Sequence, residues 1–285
     1  MKTLFTTVVV GPIEQKPIYH FKPGSTVLSV GTVGCNLKCA YCQNFEISQV
    51  SKAKGVEMTA EEVVQLALER KASSIAYTYN EPLTWHKSVL EIATEAKAHG
   101  LYNLLKTNGY ASSDVFSKVA DKMDVINVDV KGTAKLYSEV CGVELEDDPR
   151  KWVILKNLRS IPSKCLSEVS IIVIPGYEEG IDQMLPIVRE HCPADTAIHL
   201  LRFIPDFKMR NVPPASMDQL RQAKEKALKY FSNVYIDFAG EDCNTKCIEC
   251  NQDLVRRRGI KILLCNVDGT GKCLSCGFPS SIRME

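Results

Sequence analysis

Thr26-Val27-Leu28-Ser29-Val30-Gly31-Thr32-Val33 runs straight into Gly34-Cys35-Asn36-Leu37-Lys38-Cys39-Ala40-Tyr41-Cys42-Gln43-Asn44. The first part reads as a β-strand. The second is a loop with three cysteines at C-x3-C-x2-C spacing and Tyr41 immediately before the third. Thiolates clustered on a short loop suit soft metals. A cubane iron–sulfur cluster normally takes four cysteine thiolates, so a set of three leaves one iron without a protein ligand. Chemistry requires such an open position, whereas a closed structural site avoids it. The plainer readings are a zinc knuckle, or three cysteines packed as small core residues.

Beyond this stretch the chain repeats strand, loop and helix. Ser74 to Tyr79, Leu101 to Lys106, Asp124 to Val130, Glu168 to Ile174 and Thr196 to Phe203 read as strands. Thr59-Ala60-Glu61-Glu62 is a capping box opening a helix through Arg70. Pro82 suits the first turn of a helix reaching His99, with Gly100 as its stop. A last helix, Ser216 to Phe231, precedes an apolar strand, Val234 to Phe238. Buried strands alternating with helices imply parallel βαβ units. The expected fold is α/β: a partial (β/α)6 TIM-like barrel over residues 1–240. A small cysteine-rich module of zinc-ribbon or rubredoxin-like type is expected over residues 241–285.

Bulk properties narrow the function. The 285 residues are 45% hydrophobic and 24% charged, ordinary globular values. A net charge of +1 offers no field for nucleic acid or an anionic membrane. No run approaches the ~20 apolar residues of a membrane span. The apolar opening ends by Gly11-Pro12 without a small-residue cleavage site. Twelve cysteines without an extracellular framework point to a reducing, cytoplasmic setting.

In barrels of this kind the site lies at the carboxyl ends of the strands. Unusual polar groups gather there: Tyr79-Asn80-Glu81-Pro82, Thr107-Asn108-Gly109, Asp129-Val130-Lys131-Gly132, Pro175-Gly176 and Arg202. Singly, each reads as a cap or turn residue. Together, Glu81, Asn108, Asp129, Lys131 and Arg202 can grip a zwitterionic, ribose-bearing ligand through charge-assisted hydrogen bonds.

The tail poses a second metal question. Cys247-x2-Cys250 and Cys273-x2-Cys276, 22 residues apart, approach the four-cysteine zinc pattern. A structural zinc is the leading reading, and an auxiliary iron–sulfur cluster or rubredoxin-like iron the alternative. Cys243 forms a further C-x3-C-x2-C with Cys247 and Cys250 but lacks the aromatic and the delivering strand, so it reads as a decoy. Cys265 is a spare thiol. Arg256-Arg257-Arg258 reads as an exposed charge run. Cys141, Cys165 and Cys192 read as packing residues, and Trp85 and Trp152 as helix core. None of the five histidines has ligand spacing with another.

The cysteine triplet with Tyr41, together with the strand-end motifs, Ile174-Pro175-Gly176 and Arg202-Phe203-Ile204-Pro205, resembles the radical SAM superfamily. The likeness is to the enzymes related to pyruvate formate-lyase activating enzyme, and within them to the AmmeMemoRadiSam-system branch. Tyr19-His20-Phe21-Lys22-Pro23-Gly24-Ser25 and Gln43-Asn44-Phe45-Glu46-Ile47-Ser48 add to it, so it covers nearly the whole chain. This chain begins closer to its barrel than that branch usually does.

The resemblance implies a [4Fe–4S] cluster on Cys35, Cys39 and Cys42, with S-adenosylmethionine on the open iron. Reductive cleavage to a 5′-deoxyadenosyl radical, and hydrogen abstraction from a protein or peptide, would follow. A small molecule or lipid is the alternative substrate, and a low-potential electron donor is required. Glu81 falls on the motif that binds the methionine amino group. Asn108, Asp129, Lys131 and Arg202 are candidates for the other contacts. Lys106 stands where glycyl-radical activating enzymes usually have an aspartate that helps a monovalent cation site. The competing class, a non-catalytic iron–sulfur carrier or scaffold, fits poorly with a full barrel. A radical must be kept from water, so an enclosed barrel mouth is expected.

Overall fold

The computed structural model describes residues 1–237 and 243–285. The chain opens with β1 (Thr3–Phe5) and β2 (Thr7–Pro12); β2 runs antiparallel along β3 (Thr26–Gly31), the strand leading to the cysteine loop. A short β4 (Val56–Met58) pairs with β1. Next come β5 (Ser74–Tyr77), β6 (Tyr102–Thr107), β7 (Val125–Asp129), β8 (Leu166–Val173), β9 (Ala197–Arg202) and β10 (Asn233–Ile236). The sheet order is β10-β9-β8-β7-β6-β5-β3-β2, with every pair from β3 to β10 parallel. Its two edges, β10 and β2, do not pair, so the barrel is partial. The six expected repeats are present, and β10 extends the parallel set to a seventh strand. Phe238, the expected end of that strand, and the expected boundary after residue 240 lie outside the described residues.

Local chemistry sets the helices: α1 (Phe45–Ser48), α2 (Ala60–Glu69), α3 (His86–Ala98), α4 (Ser113–Ala120), α5 (Ala134–Glu139), α6 (Val153–Arg159), α7 (Glu179–Arg189) and α8 (Met217–Ala227). Thr59 Oγ1 accepts from the Glu62 amide at 3.2 Å, and the Glu62 carboxylate accepts from the Thr59 amide at 2.7 Å, the expected capping box. Ser216 and Gln219 cap α8 in the same way. Gly100 stops α3 with a φ of +73°. Pro82–Trp85 is a separate 3-10 turn ahead of α3, because the Glu81 carboxylate accepts from the Leu83 amide and fixes its start.

The core has two parts. Between sheet and helices, Val30, Ile75, Leu105, Ile126, Val128 and Val169 pack in one cluster with Val63, Val89, Phe116, Ile154, Leu185 and Leu220. Inside the curve, Ile13, Ile18 and Phe21 cover Val27, Ala76, Leu104 and Val125, so residues 13–21 plug the amino-terminal end. Side chains on a strand alternate faces. The next inward positions toward the carboxyl ends are therefore Lys106, Asn127, Ser170 and His199, whose side chains form a polar layer above the plug.

The tail forms a three-stranded antiparallel sheet, β11 (Thr245–Lys246), β12 (Asp253–Arg258) and β13 (Lys261–Cys265), around Leu254, Val255, Val267 and Ile282. Its last residues return to the plug: the Arg283 amide donates to His20 O and the Lys22 amide to Arg283 O. The charge run divides here. Arg256 and Arg258 are exposed, but Arg257 is 3% exposed. Strand alternation turns it inward, where its guanidinium donates to Tyr19 O at 2.7 Å, Cys243 O at 2.9 Å and Thr245 Oγ1 at 2.9 Å. It also lies 4.2 Å over the Tyr19 ring. The tryptophans also lie outside helix interiors. Trp85 ends the 3-10 turn against Phe5 and Tyr77, and Trp152 caps α6 from a buried position.

Candidate active site

β3 delivers the cysteine loop to the carboxyl-terminal rim, and four neighbouring segments hold it there. Asn80 Nδ2 donates to Gly34 O and Thr32 Oγ1. The Gly34 amide donates to Ile47 O, the Lys38 and Ala40 amides donate to Cys141 O and Val140 O at the end of α5, and the Lys208 amide donates to Ala40 O. Tyr41, the aromatic of the motif, is buried edge-on to Phe203, 6.3 Å between centroids. Its role is packing. Beyond β9, Phe207 stacks on Phe45 at 4.7 Å between centroids.

Cys35, Cys39 and Cys42 carry free thiols and line one cavity of about 480 Å³. Burial pushes the Cys35 thiol up to about 12. A hydrogen bond from Cys141 instead holds Cys39 down at about 7. Cys141 thus touches the triplet, although in the sequence it reads as plain packing. A bound metal offsets the cost of a buried thiolate. The three sulfurs do not gather within the 4.8 Å that suits a single ion; among the described residues that geometry belongs to the tail quartet. Sulfurs spread around one cavity fit a polynuclear cluster.

The five polar residues expected at the strand ends all line the same cavity. Glu81 is 2% exposed and accepts from Thr107 Oγ1 at 2.7 Å, the Asn108 amide at 2.7 Å and the Leu83 amide at 3.0 Å. Burial still raises its pKa to about 7. Asn108 Nδ2 donates to Asn36 Oδ1 at 2.8 Å and so ties β6 to the cysteine loop. Asp129 accepts from Lys131 at 2.7 Å and from Lys106. Burial would raise the Asp129 pKa, but the two ammonium groups outweigh it and hold it at about 2. Lys106 also donates to Asn127 Oδ1 at 2.6 Å and Ser170 Oγ at 2.7 Å, a tethered cation within the polar layer. Arg202 is exposed at the rim, its Nε donating to Ala215 O at 2.7 Å.

Two features of the site were not legible in the sequence. Lys16, from the plug, reaches the cavity wall with its Nζ 3.1 Å from Tyr79 Oη, and burial lowers its pKa to about 8. Below the cavity, fully buried His199 is held at both ring nitrogens, Nε2 by Glu168 and Nδ1 by Asp237 at 2.9 Å. The available signal was a histidine and a glutamate inside apolar strands, since buried polar groups require partners.

Burial alone would lower the His199 pKa, but the two carboxylates raise it to about 9 from an ordinary 6.5. Because the folded value is the higher one, its contribution to stability is complete below pH 6.5 and lost as pH rises through 9. Urea unfolding should therefore show the wild type losing on the order of 3 kcal/mol across that window. His199→Gln, compared over the same window, should not show this loss.

In the tail, Cys247, Cys250, Cys273 and Cys276 place all four sulfurs within 4.8 Å of one another. Cys247 and Cys276 are 3.7 Å apart, and Cys250 and Cys273 3.8 Å. Four thiols converging this closely suit one tetrahedral ion and leave it no open position. Cys243 packs instead with Tyr19, Ala197 and Tyr235, and Cys265 is exposed on β13; neither joins the quartet.

A mostly parallel α/β sheet with three free cysteines and a charged ring at the carboxyl ends of its strands is the frame of an iron–sulfur enzyme. The chain belongs to the radical SAM superfamily, whose family model matches residues 29–185. Such a domain implies a [4Fe–4S] cluster and S-adenosylmethionine. Among its relatives is the Methanocaldococcus jannaschii protein MJ0808, described as uncharacterized, 34% identical over 95% of this chain and 82% of its own length. MJ1632 of the same organism, named as a candidate glycyl-radical enzyme activating enzyme, is 26% identical over 74% of this chain and 80% of its own. In fold the chain is similar to Streptococcus suis SuiB bound to S-adenosylmethionine, with a TM-score of 0.56 at 14% identity, covering 79% of this chain and 52% of that one.

Proposed function

We propose that the protein takes a hydrogen atom from a protein or peptide substrate, in the manner of the activating enzymes to which it is related. The observation that carries this reading is one cavity lined by the cysteine triplet together with Glu81, Asn108, Asp129, Lys131 and Arg202. When bound, the cluster and S-adenosylmethionine together supply a 5′-deoxyadenosyl radical.

The chain's own part is binding, orientation and exclusion of water. Glu81 retains free lone pairs beyond its three donors and accepts from the methionine ammonium. Lys131 and Arg202 face the carboxylate, Asp129 accepts from ribose hydroxyls, and Asn108 fixes the cysteine loop against β6. The tail quartet holds a structural zinc. A low-potential donor supplies the electron, and a reducing cytoplasm suits the free thiols of the triplet. Among the described residues, no helix is long and apolar enough to cross a membrane.

Glu81→Gln should keep the iron content and weaken S-adenosylmethionine binding by about 10- to 100-fold, the size of one charge-assisted hydrogen bond, in equilibrium dialysis. The substrate class is tested with deuterium-grown cell extract split into macromolecular and small-molecule fractions. Deuterium should enter deoxyadenosine from the macromolecular fraction. Transfer from the small-molecule fraction alone would contradict the reading.

A further inference from the structure

Beside the polar layer lies an acceptor that no described residue uses. Asp237 follows β10, and its side chain is 2% exposed. Its Oδ1 accepts from His199 Nδ1 at 2.9 Å, while Oδ2 has no hydrogen-bond partner among the described residues. Asp237 nevertheless lines the main cavity, together with Ser170, Ile172 and Leu201. Buried carboxylate oxygens are ordinarily satisfied, so an unpartnered one on a cavity wall marks a place for a donor from outside the chain.

The remainder of the arrangement keeps that oxygen in position. His199 Nε2 bonds to Glu168, which in turn accepts from the Tyr19 amide at 3.1 Å and the His20 amide at 2.9 Å. The imidazole is thus clamped between two carboxylates, and Asp237 cannot rotate without breaking its bond. Lys106, the ammonium of the layer, is already engaged by Asp129, Asn127 and Ser170. On the rim Glu81 is the acceptor suited to the methionine ammonium and Asp129 the one suited to the ribose, so Asp237 is a further acceptor in the same cavity.

We infer that Asp237, positioned by His199 and Glu168, is the substrate-side acceptor of the cavity, and that the molecule giving up hydrogen presents an N–H donor, an ammonium or a backbone amide, to its free oxygen. This deepens the hydrogen-abstraction reading and rests on it. Deoxyadenosine formation by the wild type decides that reading separately, without reference to Asp237.

The test uses the anaerobically reconstituted enzyme saturated with S-adenosylmethionine. Glycinamide is the N–H probe, acetate is the donor-free control, and binding is read by saturation-transfer NMR. Iron content and thermal midpoint verify that each variant is folded. The wild type should bind glycinamide and not acetate. Asp237→Asn should weaken glycinamide by at least about tenfold, and Asp237→Glu should recover part of the loss. His199→Gln, which keeps the acceptor but releases its clamp, should weaken it by a smaller factor. Equal binding by the wild type and Asp237→Asn, no binding by the wild type, or equal binding of acetate would each overturn the assignment. If Asp237→Asn does not fold, unchanged binding by His199→Gln overturns it.

Discussion

Cys42→Ala, reconstituted anaerobically with iron and sulfide, is expected to lose its cluster and to form no deoxyadenosine above background, while keeping the metal of the tail. In the proposed site each thiolate of the triplet would hold a different iron, and a set of two would not retain a cubane. Ser48 Oγ lies 3.1 Å from Cys42 Sγ, but a hydroxyl is a harder, weaker ligand for iron–sulfur chemistry and is a poor substitute. Cys243→Ala is the matched control, since that thiol packs with Tyr19 and Tyr235 rather than in either metal set. Counting iron, sulfide and zinc in both variants measures the two sites independently. Retention of a full cluster in Cys42→Ala would contradict the ligand assignment.

Arg257→Ala should have a large effect on stability, on the order of 3 kcal/mol in urea unfolding. The change leaves Tyr19 O, Cys243 O and Thr245 Oγ1 without their shared donor in a buried setting, and opens space beside the Tyr19 ring. Arg256→Ala removes only an exposed contact with Asp253 and should stay within about 0.5 kcal/mol of wild type. Arg257 also joins the tail to the plug whose amides hold Glu168. Stripping metal from the quartet should therefore destabilise residues 13–21 as well, read as faster amide exchange at Tyr19 and His20. Equal effects of the Arg256 and Arg257 substitutions would remove the basis for this coupling.

What was legible in the sequence was whatever local chemistry determines. The cysteine spacing, the capping box at Thr59, and polar motifs ending apolar strands all act within a few residues. They led to the parallel sheet and to one rim bearing Glu81, Asn108, Asp129, Lys131 and Arg202. Long-range pairing was not legible. Val8-Val9-Val10 has the β-branched character of a strand, yet only its partnership with β3 makes β2 an edge of the sheet. Arg257 sat in an apparently uniform basic run, and only the packing of one face of β12 against Tyr19 of the plug singles it out as the inward member. Glu168, His199 and Asp237 are brought together by three neighbouring strands, and Cys141 meets Cys39 only because α5 ends beside the loop. No spacing rule connects these residues.

The claim on which all this rests is that three cysteines hold a cluster able to take S-adenosylmethionine at its open iron. The most direct measurement is product formation by the wild-type holoenzyme, with dithionite as reductant and S-adenosylmethionine as the only added ligand. The account predicts 5′-deoxyadenosine and methionine in equal amounts, abolished by Cys42→Ala. A protein with its full complement of iron and sulfide that leaves S-adenosylmethionine intact would contradict it.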